Sequence, residues 1–289
     1  MPVILFINLK GGVAKTTNAV AVAECLADNG YRTLVIDADH QCMSSELLLG
    51  EERLLRCERK KTFHDLLIAM LDDEFTPDQV PHYIQTNCSN IGGGIETLSV
   101  LPCSIRIDDF QTNVAKARRG YHTNEEFQAT FKKRKNALQR WLATNYDYTI
   151  IDCPPSIPIQ VRVCLSLGDS YVLPSVPDRL SARGSLWLLD RLRRMNMKIP
   201  ALGTLWSLYR SQNAMHKRVI QDVAEGTGPF RTLPRPFETI IPNAAKIAEA
   251  TEPDLQPHSF NAKYTSQFGK CFRALCREIV DRSDSSVLK

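Results

Sequence analysis

The sequence predicts an α/β fold, a mostly parallel, doubly wound sheet with helices on both faces. Three stretches carry that expectation. Val3–Ile7 is an apolar run of strand length, and it feeds a glycine-bearing loop at 10–17. A segment of helical apolar period follows from Asn18 to Asp28 and closes at Gly30. The β-branched runs Arg32–Asp39 and Asp147–Asp152 both end in carboxylates. Continuous apolar strands alternating with helices are the pattern of βαβ units, whose connections put helices on both sheet faces.

Composition sets the limits. A chain of 289 residues can bury the core of one α/β domain, and the readable elements suggest a single domain over 1–289. Hydrophobic content of 43% and charged content of 24% suit a soluble globular chain. No apolar run approaches the ~18 residues of a spanning helix. The N-terminus lacks a basic region before its apolar run, so no signal peptide is expected. The net charge of +4 says little until the positive residues are located. Nine cysteines without paired CxxC motifs read as free thiols of a reducing cytoplasm, with no zinc site.

The loop 10–17 is Lys10-Gly11-Gly12-Val13-Ala14-Lys15-Thr16-Thr17. Strand, glycine loop and helix in that order turn backbone N–H groups and a helix N-terminus toward one point, which stabilises an anionic phosphate. Lys15 can reach β- and γ-phosphates, and the Thr16 hydroxyl can ligate Mg²⁺. The standard phosphate-loop spacing fails, because its outer glycines would fall on Leu9 and Ala14.

The next strand ends Asp37-Ala38-Asp39, with both carboxylates able to face one side at the strand's carboxyl end. Acidic groups there hold Mg²⁺ or position a water. The region 43–146 is a poorly readable, largely helical insertion. Ser44–Leu49 and Thr62–Leu71 read as helices, Glu96–Leu101 as a strand stopped by Pro102, and Glu125–Thr144 as an amphipathic helix. The basic runs Arg56–Lys61 and Lys132–Lys135 read as solvated faces, and His64 and His82 as surface residues. Asp147–Asp152 is a buried strand whose terminal Asp152 precedes the stiff pair Pro154-Pro155.

Asp169–Val176 is the next expected strand and Gly184–Met195 the next helix. On that helix Trp187, Arg191 and Arg194 share a face, either a contact surface or a tryptophan folded back on its own domain. Ala201–Tyr209 reads as a strand, Asn213–Glu225 as a helix, and Glu238–Asn243 as a strand leading into a loop. A short helix spans Ala244–Ala250, and Asn261–Arg282 closes the chain before a polar tail, Ser283–Lys289. Arg191 and Arg194 lie on one helix and Lys217 and Arg218 on another; such point charges are either ordinary surface residues or suited to DNA phosphate contacts rather than groove readout.

The segment Lys10–Thr17, with a lysine ahead of the paired glycines, resembles the deviant Walker A motif of the ParA/MinD ATPase family. The resemblance covers nearly the whole chain and is strongest at 3–45 and 147–156. It implies ATP and Mg²⁺, with residues 10–17 on the phosphates and Lys10 crossing a sandwich homodimer to the partner's phosphates. It implies that Asp39 is needed for hydrolysis, although the family's Asp-Pro-Gln is Asp39-His40-Gln41 here. It also implies that Asp152 is a Walker B aspartate holding Mg²⁺ with Asp37 and Thr16, and that Pro154-Pro155 is a switch. Pro242 and Asn243 match the segment that flanks adenine, with the family's arginine and asparagine replaced by Asn243 and Ala244. Lys246 matches a DNA-binding position. The expected function is partition of plasmid or chromosomal cargo, with non-specific duplex DNA and a ParB-type partner, in a cytoplasmic, nucleoid-associated protein.

The chain starts at its first strand, so no N-terminal helix-turn-helix domain is expected. The polar tail lacks the membrane-binding helix of MinD-type proteins. Two other members of the family remain as alternatives: a MinD-like or other cargo-positioning ATPase, and an iron–sulfur reductase or insertion ATPase. The latter would draw on Cys103 and Cys153.

Overall fold

The computed structural model describes residues 2–58, 60–252 and 255–287. Six strands form one sheet: β1 (Val3–Phe6), β2 (Thr33–Asp37), β3 (Leu98–Leu101), β4 (Tyr148–Asp152), β5 (Ser170–Ser175) and β6 (Ala201–Trp206). Their order is β3-β2-β4-β1-β5-β6, and every pairing is parallel. The helices are α1 (Lys15–Asp28), α2 (Met43–Leu49), α3 (Glu51–Cys57), α4 (Phe63–Ala69), α5 (Phe110–Ala117), α6 (Asn124–Asn145), α7 (Ile159–Leu167), α8 (Arg179–Arg194), α9 (Ala214–Ala224), α10 (Ala245–Glu249) and α11 (Phe260–Val287).

The period-two alternation of strand side chains divides the interior into two cores. Val3, Leu5, Leu34, Ile36, Ile151 and Leu173 face one side, against Leu67, Phe110, Leu138, Val161 and Leu188 from α4 to α8. Ile4, Phe6, Val35, Ile150 and Val172 face the other, against Val22 and Leu26 of α1 and Phe272 and Leu275 of α11. Both faces are covered, which is why these strands are apolar without interruption.

The α1–α11 contact also holds a buried polar knot. Glu24 accepts from Lys263 Nζ at 2.6 Å, Tyr264 Oη at 2.8 Å and Ser89 Oγ at 2.6 Å. Both oxygens of this carboxylate are engaged, one of them by a buried ammonium, so the buried charge is compensated.

Several expectations change against the structure. The strand expected at Glu96–Leu101 is present as the edge strand β3, two residues shorter at its start, while the rest of 43–146 supplies α2–α6. The segment at Glu238 is not a strand of the sheet. It meets β6 and the turn after it only at isolated bridges, Thr204↔Pro236 and Tyr209↔Pro242. Proline has no N–H for a ladder, and the Glu278 carboxylate instead accepts from the backbone of Glu238 and Thr239, both at 2.8 Å. Helix α8 begins five residues earlier than expected, where Asp178 caps it by accepting from Ser181 N at 2.7 Å.

His64 is buried rather than at the surface, and its Nδ1 has no hydrogen-bond partner. The run 132–135 is not wholly solvated. Arg134 is buried, paired with Asp73 and donating to Met70 O at 3.1 Å. Lys135 Nζ donates to Ser166 O at 2.8 Å. Arg59 of the run Arg56–Lys61, and Leu288 and Lys289 of the polar tail, lie outside the described residues.

Candidate nucleotide site

The carboxyl ends of β1, β2 and β4 meet at one place. After β1 the chain turns through Gly12 at φ 70° and enters α1 through Ala14, which is left-handed at φ 60°, ψ 35°. No side chain caps α1, so its first-turn N–H groups are left for a ligand. Lys15 is buried at 8% exposure, and its Nζ donates to the Lys10 carbonyl at 3.3 Å. Burial lowers its pKa, while Asp152 and then Asp39 pull the other way. Lys10 itself is exposed.

Parallel pairing sets Asp37 directly beside Asp152. The two carboxylates have different surroundings. Asp37 Oδ2 accepts from Ser45 N at 2.9 Å and Ser45 Oγ at 2.6 Å, and Oδ1 accepts from Asp39 N at 3.1 Å. Burial still raises its pKa to about 6. Asp152 is 1% exposed and neither of its oxygens has a partner. Burial, followed by the neighbouring Asp37, pushes it up to about 8. Thr16 faces Asp152 and favours its charged form without closing a bond.

Asp39 is 8% exposed. Its Oδ1 accepts from Gln41 N at 3.1 Å, and its carbonyl accepts from Cys42 N at 2.9 Å. These two bonds close the turn that a proline holds in the resembled family. His40 Nδ1 sits 3.8 Å from both Asp39 Oδ1 and Asp108 Oδ1.

A cleft of about 250 Å³ opens over this floor, lined by Gly11–Thr17, Asp39, Gln41, Met43, Leu47, Pro155 and Thr251. The structure therefore brings Gly11, Gly12, Val13, Ala14, Lys15, Thr16, Thr17 and Asp39 together, with Asp152 beneath. A buried carboxylate with two unpartnered oxygens beside a threonine hydroxyl and a lysine fits a cation that also touches phosphate. Among the described residues no three His, Cys, Asp or Glu side chains form a ready cage for a metal ion. Mg²⁺ requires none, since it keeps waters and binds through one or two carboxylates plus substrate phosphates.

Other expected residues lie elsewhere. Pro242 and Asn243 do not line this cleft. They pack beside Tyr209, and Asn243 N donates to Tyr209 O at 2.8 Å. With its amide oxygen turned to accept, Asn243 receives Arg210 Nε at 2.8 Å and a terminal guanidinium nitrogen at 3.1 Å. Arg191, Lys217, Arg218 and Lys246 are exposed, as is Arg194. Arg194 pairs with Asp190, and Lys246 pairs with Glu249.

Trp187 is 61% exposed and not folded back. Its ring takes the Arg183 guanidinium at 5.8 Å, rather than Arg191 or Arg194. Cys103 and Cys153 are fully buried, so neither presents a thiolate at a surface. The sequence reading missed Ser45, which holds Asp37, and Asn8, whose amide accepts from Lys10 N at 3.0 Å. Only their spacing from Asp37 and Lys10 could have pointed to them.

Residues 1–201 match the family model described as AAA domain. The chain is 25% identical over 289 residues to the chromosome partitioning protein ParA of Caulobacter vibrioides, covering 97% of this chain and 94% of that one. It is 26% identical over 284 residues to the chromosome-partitioning ATPase Soj of Treponema pallidum, covering 96% and 97%. Its fold matches that of cobyrinic acid a,c-diamide synthase from Mycobacterium smegmatis, solved with a bound ATP analogue and magnesium. That match has a TM-score of 0.67 at 22% identity and covers 99% of this chain and 96% of the other.

Proposed function

The chain belongs to the AAA domain family and is a ParA/Soj-type ATPase, and from that premise we propose that it is a DNA-partition ATPase. It binds ATP with Mg²⁺, pairs with a second copy, binds duplex DNA without sequence preference and lets go after hydrolysis. Its cargo is a plasmid or chromosome, its stimulating partner is ParB-type, and it works in the cytoplasm on the nucleoid. The observation that carries this reading is the meeting of Lys15, Thr16 and Asp39 in one cleft over the unpartnered Asp152.

Each residue then has a task. The backbone N–H groups of Gly11–Thr17 and the start of α1 hold the phosphates. Lys15 places its ammonium at the β- and γ-oxygens, where its buried position raises the strength of the interaction. Thr16 and Asp152 hold Mg²⁺, which when bound compensates charge on the phosphate oxygens. Asp37, already engaged by Ser45, supports the metal shell from the neighbouring strand. Asp39 orients the attacking water, with its own turn fixed by Gln41 and Cys42. Lys10 is exposed, which suits phosphates across a dimer interface. Exposed Lys217, Arg218 and Lys246, with Arg191 and Arg194, supply phosphate contacts to DNA. Pro242 and Asn243 shape the base end only if the loop at 242–243 moves toward the cleft.

The test is light scattering with and without Mg²⁺·ATP. Lys15→Ala is expected to lose ATP binding. Lys10→Ala is expected to bind ATP and stay monomeric. A Lys10→Ala protein that dimerises normally overturns the crossing role, and a wild-type dimer that ignores duplex DNA in ATP redirects the reading to protein cargo.

A further inference from the structure

Asn8 is fully buried just after β1, and both ends of its amide are hydrogen-bonded. Nδ2 donates to the Pro174 carbonyl at 2.7 Å and to Ser185 Oγ at 3.0 Å, while Oδ1 accepts from Lys10 N at 3.0 Å. Ser185 lies on α8, and its hydroxyl continues the chain to Ser175 Oγ and the Ser181 carbonyl, each at 3.1 Å. Ser181 Oγ in turn accepts from Val176 N at 3.0 Å. The neighbouring Gly184 has its missing Cβ aimed at Lys10, since a Cβ built there would lie 3.3 Å from Lys10 Cβ and meet nothing else within 4 Å. The phosphate loop is thus held from outside itself, by a buried hydrogen-bond chain and by one close backbone approach, both from α8.

We propose that Asn8, Ser185 and Gly184 are positioning residues for Lys10. They set the start of the phosphate loop against α8, so that the Lys10 side chain leaves at one fixed angle. The functional arm of this inference rests on the role of Lys10 proposed above. A lysine on an exposed loop has four rotatable side-chain bonds and little of its own to fix it. Fixing its backbone N–H and Cβ removes part of the disorder that reaching a phosphate on another chain would otherwise have to overcome. The same geometry makes α8 the element through which a contact on the outer face would alter Lys10.

The experiment uses the full chain with Gly184→Ala, Ser185→Ala, Lys10→Ala and the double variant Lys10→Ala with Gly184→Ala. The Gly184→Ala methyl displaces Lys10 by a few tenths of an ångström. A misplacement of ~1 Å costs on the order of a hundredfold, so ATP-driven self-association and turnover should each fall about tenfold. Its affinity for nucleotide should hold, and its melting temperature should hold or rise because alanine replaces a helical glycine. In the Lys10→Ala background the same change should have no further effect on association.

Ser185→Ala should raise amide hydrogen exchange at Lys10 about tenfold without altering the melting of the sheet. Unchanged exchange at Lys10 in Ser185→Ala overturns the tether. A Gly184→Ala protein that associates as wild type overturns the close approach, as does an equal further loss in the Lys10→Ala background. If Lys10→Ala alone associates normally, the proposed function of Lys10 fails, and the exchange measurement still decides the tether.

Discussion

Asp37 and Asp152 stand at the same register position on neighbouring parallel strands, yet only Asp37 has its hydrogen bonds made. The same substitution should therefore act differently at each. Asp152→Asn replaces a group that burial already holds near neutral, with a pKa of about 8, by a neutral one of nearly the same shape. The nucleotide-free protein should melt unchanged at pH 7, while Mg²⁺ should no longer strengthen ATP binding. Asp37→Asn breaks an acceptor of three donors, and a buried unsatisfied donor costs about 1–3 kcal/mol, so that protein should melt lower. Nucleotide titrations with and without Mg²⁺, beside melting curves, measure both. Persistent enhancement by Mg²⁺ in Asp152→Asn would move the metal to another carboxylate.

Asp39 lines the cleft, and Asp39→Ala removes its side-chain bond to Gln41 N but keeps its carbonyl bond to Cys42 N and changes no residue of the phosphate loop. ATP binding and dimerisation should persist. Turnover should fall by on the order of a hundredfold or more, the scale of positioning effects in phosphoryl transfer. Steady-state phosphate release measures it, and wild-type turnover would transfer the role to Asp37 or to another group.

Ala14 occupies the left-handed region at φ 60° where a phosphate loop of ordinary spacing has glycine. For a residue with a Cβ that conformation costs about 1–2 kcal/mol, and glycine returns about 0.5–1 kcal/mol of that through its own entropy. Ala14→Gly should thus stabilise the protein by up to about 1 kcal/mol, or ~2–4 °C in melting temperature. A lower melting temperature in Ala14→Gly would show that the Ala14 methyl makes packing contacts that outweigh the strain.

The phosphate loop, both carboxylate-ended strands and the parallel sheet were legible because each is written in contiguous residues. Val3–Phe6, Thr33–Asp37 and Tyr148–Asp152 are buried on both faces, so their apolar runs have no competing explanation. What stayed hidden depends on residues far apart in sequence. Asn8 meets Ser185 across 177 positions, and Arg134 is drawn inward by Asp73 and Met70, which no local charge pattern reveals. The segment at Glu238 had strand composition, but Glu278 of α11 takes the N–H groups of Glu238 and Thr239. The base end of the site was read from a matched proline alone, and neither Pro242 nor Asn243 lines the cleft, whose other walls include Met43, Leu47 and Thr251.

His64 adds a pH dependence. It is 6% exposed, burial lowers its pKa from 6.5, Arg106 lowers it further, and Asp65 and Asp109 oppose only in part. The folded protein then binds fewer protons than the unfolded chain as pH falls through 6.5. Its contribution to stability is complete above that value and is lost below it. His216, lowered chiefly by burial, acts in the same direction. Melting temperature should drop between pH 7 and pH 5, and His64→Gln should shallow that drop while His216 retains part of it. An identical drop in His64→Gln would assign the acid sensitivity to other groups.

The proposed DNA surface yields the last prediction. Lys217 and Arg218 are exposed on α9 and Lys246 on α10, while Arg191 and Arg194 are exposed on α8. Three of these cations have an acidic neighbour on their own helix: Arg194 with Asp190, Arg218 with Asp222 at 3.9 Å, and Lys246 with Glu249. Exposed pairs of this kind are worth only about 0–1 kcal/mol, so a phosphate can displace the carboxylate at small cost. Lys217 and Arg191 are exposed and make no ion pair among the described residues, so they should be the strongest single contacts. A dimer doubles every contact along one duplex, so ATP should tighten binding by joining two weak surfaces. Each lost phosphate contact should reduce the slope of log affinity against log salt by about 0.9. Filter binding across a salt series with Lys246→Glu, and with Lys217→Glu combined with Arg218→Glu, measures this. Variants that dimerise with ATP and keep the wild-type affinity and slope would place the DNA surface away from α9 and α10.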